Sequence, residues 1–161
     1  MIDEEVKIVA LALIAVMAGI AVYPVLSANR IVEPFSELGV LGPNGKLGDY
    51  PRLVEVGEPI SLFLYVGNEE GRAEYYQVQV KLGSQAQNVS DATPLDAPIL
   101  AKYDIVLMSG QNVTRPVTLS LPQPGINLRL VFEMHIYDGD SGGLVYNYRW
   151  VQLWMNATKT S

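Results

Sequence analysis

A chain of 161 residues, 49% hydrophobic and 17% charged, has the composition of one folded domain with a short appendage, not of a disordered segment. Its net charge of -6 gives no electrostatic reason to bind nucleic acid or anionic lipid. The absence of cysteine excludes disulfides, thiolate metal sites and thiol nucleophiles.

The first element is an uncharged apolar run from Ile8 to Ala28. About 20 such residues cross a ~30 Å hydrocarbon core, and a helix is the single-segment way to satisfy the backbone in lipid. Tyr23 stands near one end, as an interfacial aromatic does, and Pro24 follows it. Residues 1–30 therefore read as an N-terminal transmembrane helix, with membrane lipid as its partner. Two other readings stay open. A cleaved signal peptide would end near Val25-Leu26-Ser27, but the start, Asp3-Glu4-Glu5, is acidic. A helix that packs filament subunits together would lack the basic processing site expected before it, and Arg30 ends the run early. Ala15 and Gly19 form a small-xxx-small pair, which is expected by chance in so alanine-rich a segment.

Lys7 and Arg30 balance, so positive charge does not orient the helix. The glycosylation acceptors do. Asn88-Val-Ser, Asn112-Val-Thr and Asn156-Ala-Thr each match the sequon, where about one would arise by chance. They put residues 31–161 outside the cell membrane as an extracytoplasmic domain of a single-pass protein, with N-linked glycans as possible partners.

That domain reads as strands. Ile60, Leu62, Leu64 and Val66 share one face, and Phe63 and Tyr65 make the other face apolar too, as in a central strand. Tyr76, Val78, Val80 and Leu82 alternate with Gln77, Gln79 and Lys81. Residues 84–104 are irregular and read as a long loop with a short strand near Ile99 or Ile105. Val117, Leu119 and Leu121 alternate with Thr118 and Ser120. Ile126, Leu128, Leu130, Phe132, Met134 and Ile136 share a face opposite Asn127, Arg129, Glu133 and His135. Tyr146, Tyr148 and Trp150 share a face of the last run, before the apolar parity passes to Val151, Leu153 and Met155, which suggests a one-residue bulge. Gly/Pro/Asn turns separate these runs, with no helical period between them. The fold expected is all-β: an antiparallel immunoglobulin-like β-sandwich of seven or eight strands, preceded by one N-terminal transmembrane α-helix.

Gly139-Asp-Ser-Gly-Gly143 matches the nucleophile segment of chymotrypsin-like proteases. Such a Ser needs a His base and a buried Asp, whereas the lone histidine, His135, lies six residues upstream on the same hairpin. A hairpin turn explains the string more simply. Asp138, Asp140 and Ser141 offer oxygen ligands for Ca²⁺, but without the spacing or distal Glu of an EF-hand loop. Glu69, Glu70 and Glu74 read as solvated turn charges, and Asp49 and Tyr50 as turn caps before Pro51. Trp150 and Trp154, with Tyr146 and Tyr148, suit either sugar stacking or core packing. No catalytic, cofactor-binding or metal residue is assigned.

The run Glu33-Pro-Phe-Ser-Glu-Leu-Gly-Val-Leu-Gly-Pro-Asn-Gly-Lys-Leu-Gly-Asp-Tyr-Pro51, followed by Val56-Gly-Glu58 and Asn68-Glu-Glu-Gly71, resembles an archaeal membrane-protein family, domain of unknown function 1616. That family sets a hydrophobic segment before such a pattern and a β-rich extracytoplasmic domain after it. The resemblance implies an archaeal cell-surface setting and carries no catalytic residues. In physical terms Pro43-Asn44-Gly45 is a tight turn, with Phe35, Leu38 and Leu41 expected to pack beneath it.

The function expected is non-enzymatic: a membrane-anchored domain that contacts other envelope proteins or copies of itself. The alternatives are a filament or surface-layer subunit, assembling through the N-terminal helix or strand donation, and a glycan-binding sandwich.

Overall fold

The computed structural model describes residues 4–28 and 33–159. Arg30 and most of the Asn29–Pro34 connection lie outside the described residues. The chain divides into two compact units, Met1–Glu33 and Pro34–Ser161. The first is a single helix, α1 (Glu4–Ala28). Of its 18-residue stretch Val6–Tyr23 none is buried, and from Ile8 onward it is apolar on every side. A helix that is apolar all round needs an apolar environment, and within its own unit it has none.

The second unit holds eight strands: β1 (Phe35–Leu41), β2 (Leu53–Glu55), β3 (Ile60–Glu69), β4 (Glu74–Gly83), β5 (Ile99–Leu107), β6 (Gln111–Leu119), β7 (Gly125–Asp138) and β8 (Gly143–Thr158). They form two sheets, ordered β1-β3-β6 and β2-β8-β7-β4-β5. Leu62, Leu64 and Val66 from the first sheet share one core with Tyr76, Val78, Val80, Leu130, Phe132 and Met134 from the second. None of these side chains is more than 1% exposed. At roughly 1.5–3 kcal/mol for each large apolar side chain fully buried, this layer is the main cohesive force. β3 is the central strand of its sheet, as its two apolar faces predict.

The structure departs from the sequence reading in several places. The sheets are not purely antiparallel: β2 pairs parallel with β8, Leu53–Glu55 against Asn156–Thr158. After β1 the chain crosses from the edge of one sheet to the edge of the other, and three residues suffice to close that edge. The irregular stretch is a loop only over 84–98, because β5 is a nine-residue strand against β4. Its burial alternates from Ala101 to Leu107, but Val106 puts an apolar residue on the exposed side and blurs the pattern in sequence. Ile126 is 82% exposed rather than part of the core face, because Asn127 takes a φ of 52° and breaks the register there. Phe35 is also exposed, whereas Leu38 packs against the core.

The bulge in β8 is real but larger than one residue. Glu133 pairs with Trp150 and His135 with Tyr146, so two steps along β7 face four along β8. Tyr148 absorbs the excess with a φ of 55°. Two extra residues preserve parity. The change from Tyr146 and Trp150 to Val151 and Leu153 therefore reflects two apolar faces of one strand.

Candidate functional site on the outer face of the larger sheet

The face of the five-stranded sheet that points away from the core carries Gln77, Gln79 and Lys81 of β4 beside Val131, Glu133 and His135 of β7. Simple alternation assigns these positions to solvent. Most are buried: Lys81 is 8% exposed, His135 9% and Glu133 fully covered. The cover is the segment 84–98. Val89 and Leu95 form a second small apolar cluster with Val131, flanked by Ala97 and Trp150.

Polar contacts fasten this segment along its length. The Lys81 ammonium lies 2.8 Å from the Glu133 carboxylate and donates to the Leu95 carbonyl at 2.9 Å. The Leu95 N–H donates to the other Glu133 oxygen. The Tyr146 hydroxyl donates to Ser90 O at 2.9 Å, and the Trp150 indole N–H to Asp91 at 3.1 Å. Burial pushes the Tyr146 phenol up to about 12, with Glu133 and Asp91 adding to the effect. Burial pushes the His135 imidazole below its ordinary value of 6.5; Glu133 opposes this and Lys81 reinforces it. Among the described residues its Nδ1 has no hydrogen-bond partner.

Arg129 continues the row. Its guanidinium stacks over Trp150 at 5.7 Å and over Trp154 at 5.4 Å. It also donates to Gln87 O at 2.7 Å and to the Gln152 side chain. Beyond it lies an open cleft of about 480 Å³, lined by Tyr50, Arg52, Asn127, Gln152, Trp154 and Asn156 among others. The Tyr50 hydroxyl donates to Val40 O of β1 at 2.8 Å, a bond across the intervening loop rather than a local turn cap. The four aromatics of the last strand thus have separate fates. Tyr146 and Trp150 hold the 84–98 segment, Tyr148 is 60% exposed at the bulge, and Trp154 is 41% exposed on the cleft.

The three sequon asparagines do not come together. Asn88 is exposed within 84–98 and Asn112 is exposed on β6. Asn156 is half-buried in β8, where its Oδ1 accepts the Asn127 N–H at 2.8 Å. The Gly-Asp-Ser-Gly-Gly string forms the β7–β8 hairpin turn. Asp138 accepts the Ser141 N–H at 3.1 Å, and the Ser141 hydroxyl faces the Asp138 carbonyl at 3.4 Å rather than an imidazole. No group of three or more His, Asp or Glu side chains suited to a metal ion occurs among the described residues.

Sequence reasoning missed Lys81 and Glu133 as a pair, and Arg129, Arg52 and Asn127 as neighbours of Trp154. The available signal was a lysine and a glutamate on the polar faces of two strands whose other faces are apolar. Nothing in the sequence pointed to the loop that covers them.

An apolar N-terminal helix and a unit of two β-sheets on one core define the class of protein. The chain belongs to the family described as domain of unknown function (DUF1616), which it matches over residues 30–156. Among curated proteins none matches it in sequence. Solved structures similar to it include the CARDB domain of a Pyrococcus furiosus protein in complex with di-metal ions. That similarity is at 12% identity and TM-score 0.48, covering 78% of this chain and 90% of that one. A Listeria innocua beta-glucosidase is similar at 13% identity and TM-score 0.45, over 77% of this chain but 16% of its own length. The E. coli alpha-2-macroglobulin is similar at 14% identity and TM-score 0.42, over 80% of this chain and 7% of its own.

Proposed function

We propose that this chain is a single-pass membrane protein whose β domain is an immunoglobulin-like sandwich outside the bilayer. It acts by contact with other envelope proteins rather than by catalysis. The observation that carries the reading is α1, whose 18-residue stretch from Val6 to Tyr23, with Lys7 its one charged residue, is entirely uncovered. Hydrocarbon of matching thickness removes that cost, and an 18-residue stretch is long enough to span it. The exposed sequons at Asn88 and Asn112 support the outward orientation. The turn built by the Gly-Asp-Ser-Gly-Gly string leaves Ser141 without an activating base, which favours a binding role.

The chain has no native cysteine, so single introduced thiols report topology without background. Gln85→Cys, in the exposed part of 84–98, should react with an impermeant maleimide on intact cells. Glu4→Cys should react only after permeabilisation. The reverse pattern sinks the orientation. Release of the chain by alkaline carbonate, or its recovery as long polymers from sheared cells, sinks the anchor and leaves the filament alternative.

A further inference from the structure

We infer that the cleft beside Trp154 is a glycan-binding site selective for a pyranose residue carrying an anionic group. Trp154 is a large aromatic left 41% exposed in a domain that buries most of its apolar side chains. Its ring is backed by Arg129, which is itself held by Gln152, Gln87 O and Trp150. The indole is therefore a rigid plate, ordered before any ligand arrives, which lowers the entropic cost of binding. No lining residue of the cleft is bonded to the 84–98 segment, so the loop that covers the rest of this face leaves it open.

The charged group around the plate is a cation. The Asn156 Oδ1 is committed to the Asn127 N–H and the Gln152 carbonyl oxygen to Arg129, so what each of these lining amides has left to offer a ligand is its N–H donors. The Arg52 guanidinium is exposed at the rim. No Asp or Glu lines the space. Asn127 holds a φ of 52°, a backbone strain that the Asn156 bond fixes in place and that clusters at recognition sites. A ligand for such a cleft offers an apolar face to the indole and only acceptors at its edge. A pyranose ring bearing a carboxylate does this: its C–H face lies on Trp154, its ring hydroxyl oxygens accept from the amides, and its carboxylate takes the Arg52 fork. The volume of about 480 Å³ is in the range of small-molecule sites.

The test uses the full chain in an amine-oxide detergent, which contains no sugar. Methyl β-glucuronide and methyl β-glucoside are titrated at millimolar concentration, followed by saturation-transfer NMR and tryptophan emission. The glucuronide is expected to bind more tightly than the glucoside. Trp154→Ala should weaken glucuronide binding by about tenfold or more. Arg52→Gln, a change at an exposed side chain, should erase the preference for the glucuronide while leaving the melting temperature unchanged. Absence of saturation transfer from both sugars overturns the proposal, as does glucuronide binding that neither substitution alters. A glycan found on Asn156 of the native protein would fill the cleft and overturn it as well.

Discussion

Lys81 Nζ and Glu133 Oε2 stand 2.8 Å apart beneath the 84–98 segment, with side-chain exposures of 10% and 0%. Neither charge has water to return to. Removing one partner leaves the other buried and uncompensated, so Lys81→Met should cost about 3–5 kcal/mol in denaturant unfolding. The double change Lys81→Met with Glu133→Leu should recover only part of that loss, because it removes the unpaired charge but leaves the buried Leu95 N–H and carbonyl without those partners. A double variant as unstable as the single one would show that the pair is worth more than its packing.

His135 gives the domain a pH dependence of definite sign. Its folded pKa lies below the ordinary 6.5, mainly through burial. An unfolded chain takes up the proton first as pH falls, so stability rises with pH between the folded and unfolded values. The contribution is complete above about pH 6.5, is lost as pH drops toward the folded pKa, and levels off below it. Melting temperatures should decline from neutral pH into the mildly acidic range, and His135→Gln should flatten that decline. Equal slopes for the two proteins would assign the acid sensitivity elsewhere.

Arg129 joins the covering loop to the last strand through a planar fork that lysine does not reproduce. Arg129→Lys should lower stability by about 1–3 kcal/mol. It should also speed amide exchange within 84–98 while leaving β3 and β6 unchanged. Uniform acceleration across both sheets would mean the residue supports the whole core instead.

The sequons should be used unequally. Asn88 and Asn112 are exposed, whereas the Asn156 amide is half-buried in β8 and bonded to Asn127. Peptide mass mapping of protein from its native membrane should find glycan on the first two asparagines and not on Asn156.

Turn chemistry was legible where it is local. Gly45 of the Gly-Pro-Asn-Gly turn has a φ of 68°, as its sequence implies. Gly42 is required for a different reason: a Cβ there would stand 2.1 Å from the Gly48 carbonyl oxygen, a close approach set by the loop's return path. Gly42→Ala should therefore force the turn open and lower the melting temperature more than Gly45→Ala does. The core faces of β3, β4 and β6 were legible for the same local reason, since alternation needs only the strand itself. The outer face was not. Lys81, Glu133 and His135 are polar at positions that alternation gives to water, and only a distant loop, ordered by Leu95 and Val89, makes them interior. Ile126 failed in the opposite direction, because one left-handed residue shifts every side chain before it.

The short parallel pairing of β2 with β8 has a mechanical consequence. Backbone bonds from Val56 N to Thr158 O and from Asn156 N to Arg52 O tie the two strands together. Two parallel strands pulled apart from opposite ends of the chain slide along each other, and all the bonds between them bear the tension at once. An antiparallel edge strand pulled the same way would peel open one bond at a time. Tension applied between the β1–β2 connection and the residues after β8 therefore meets a clasp that resists in shear.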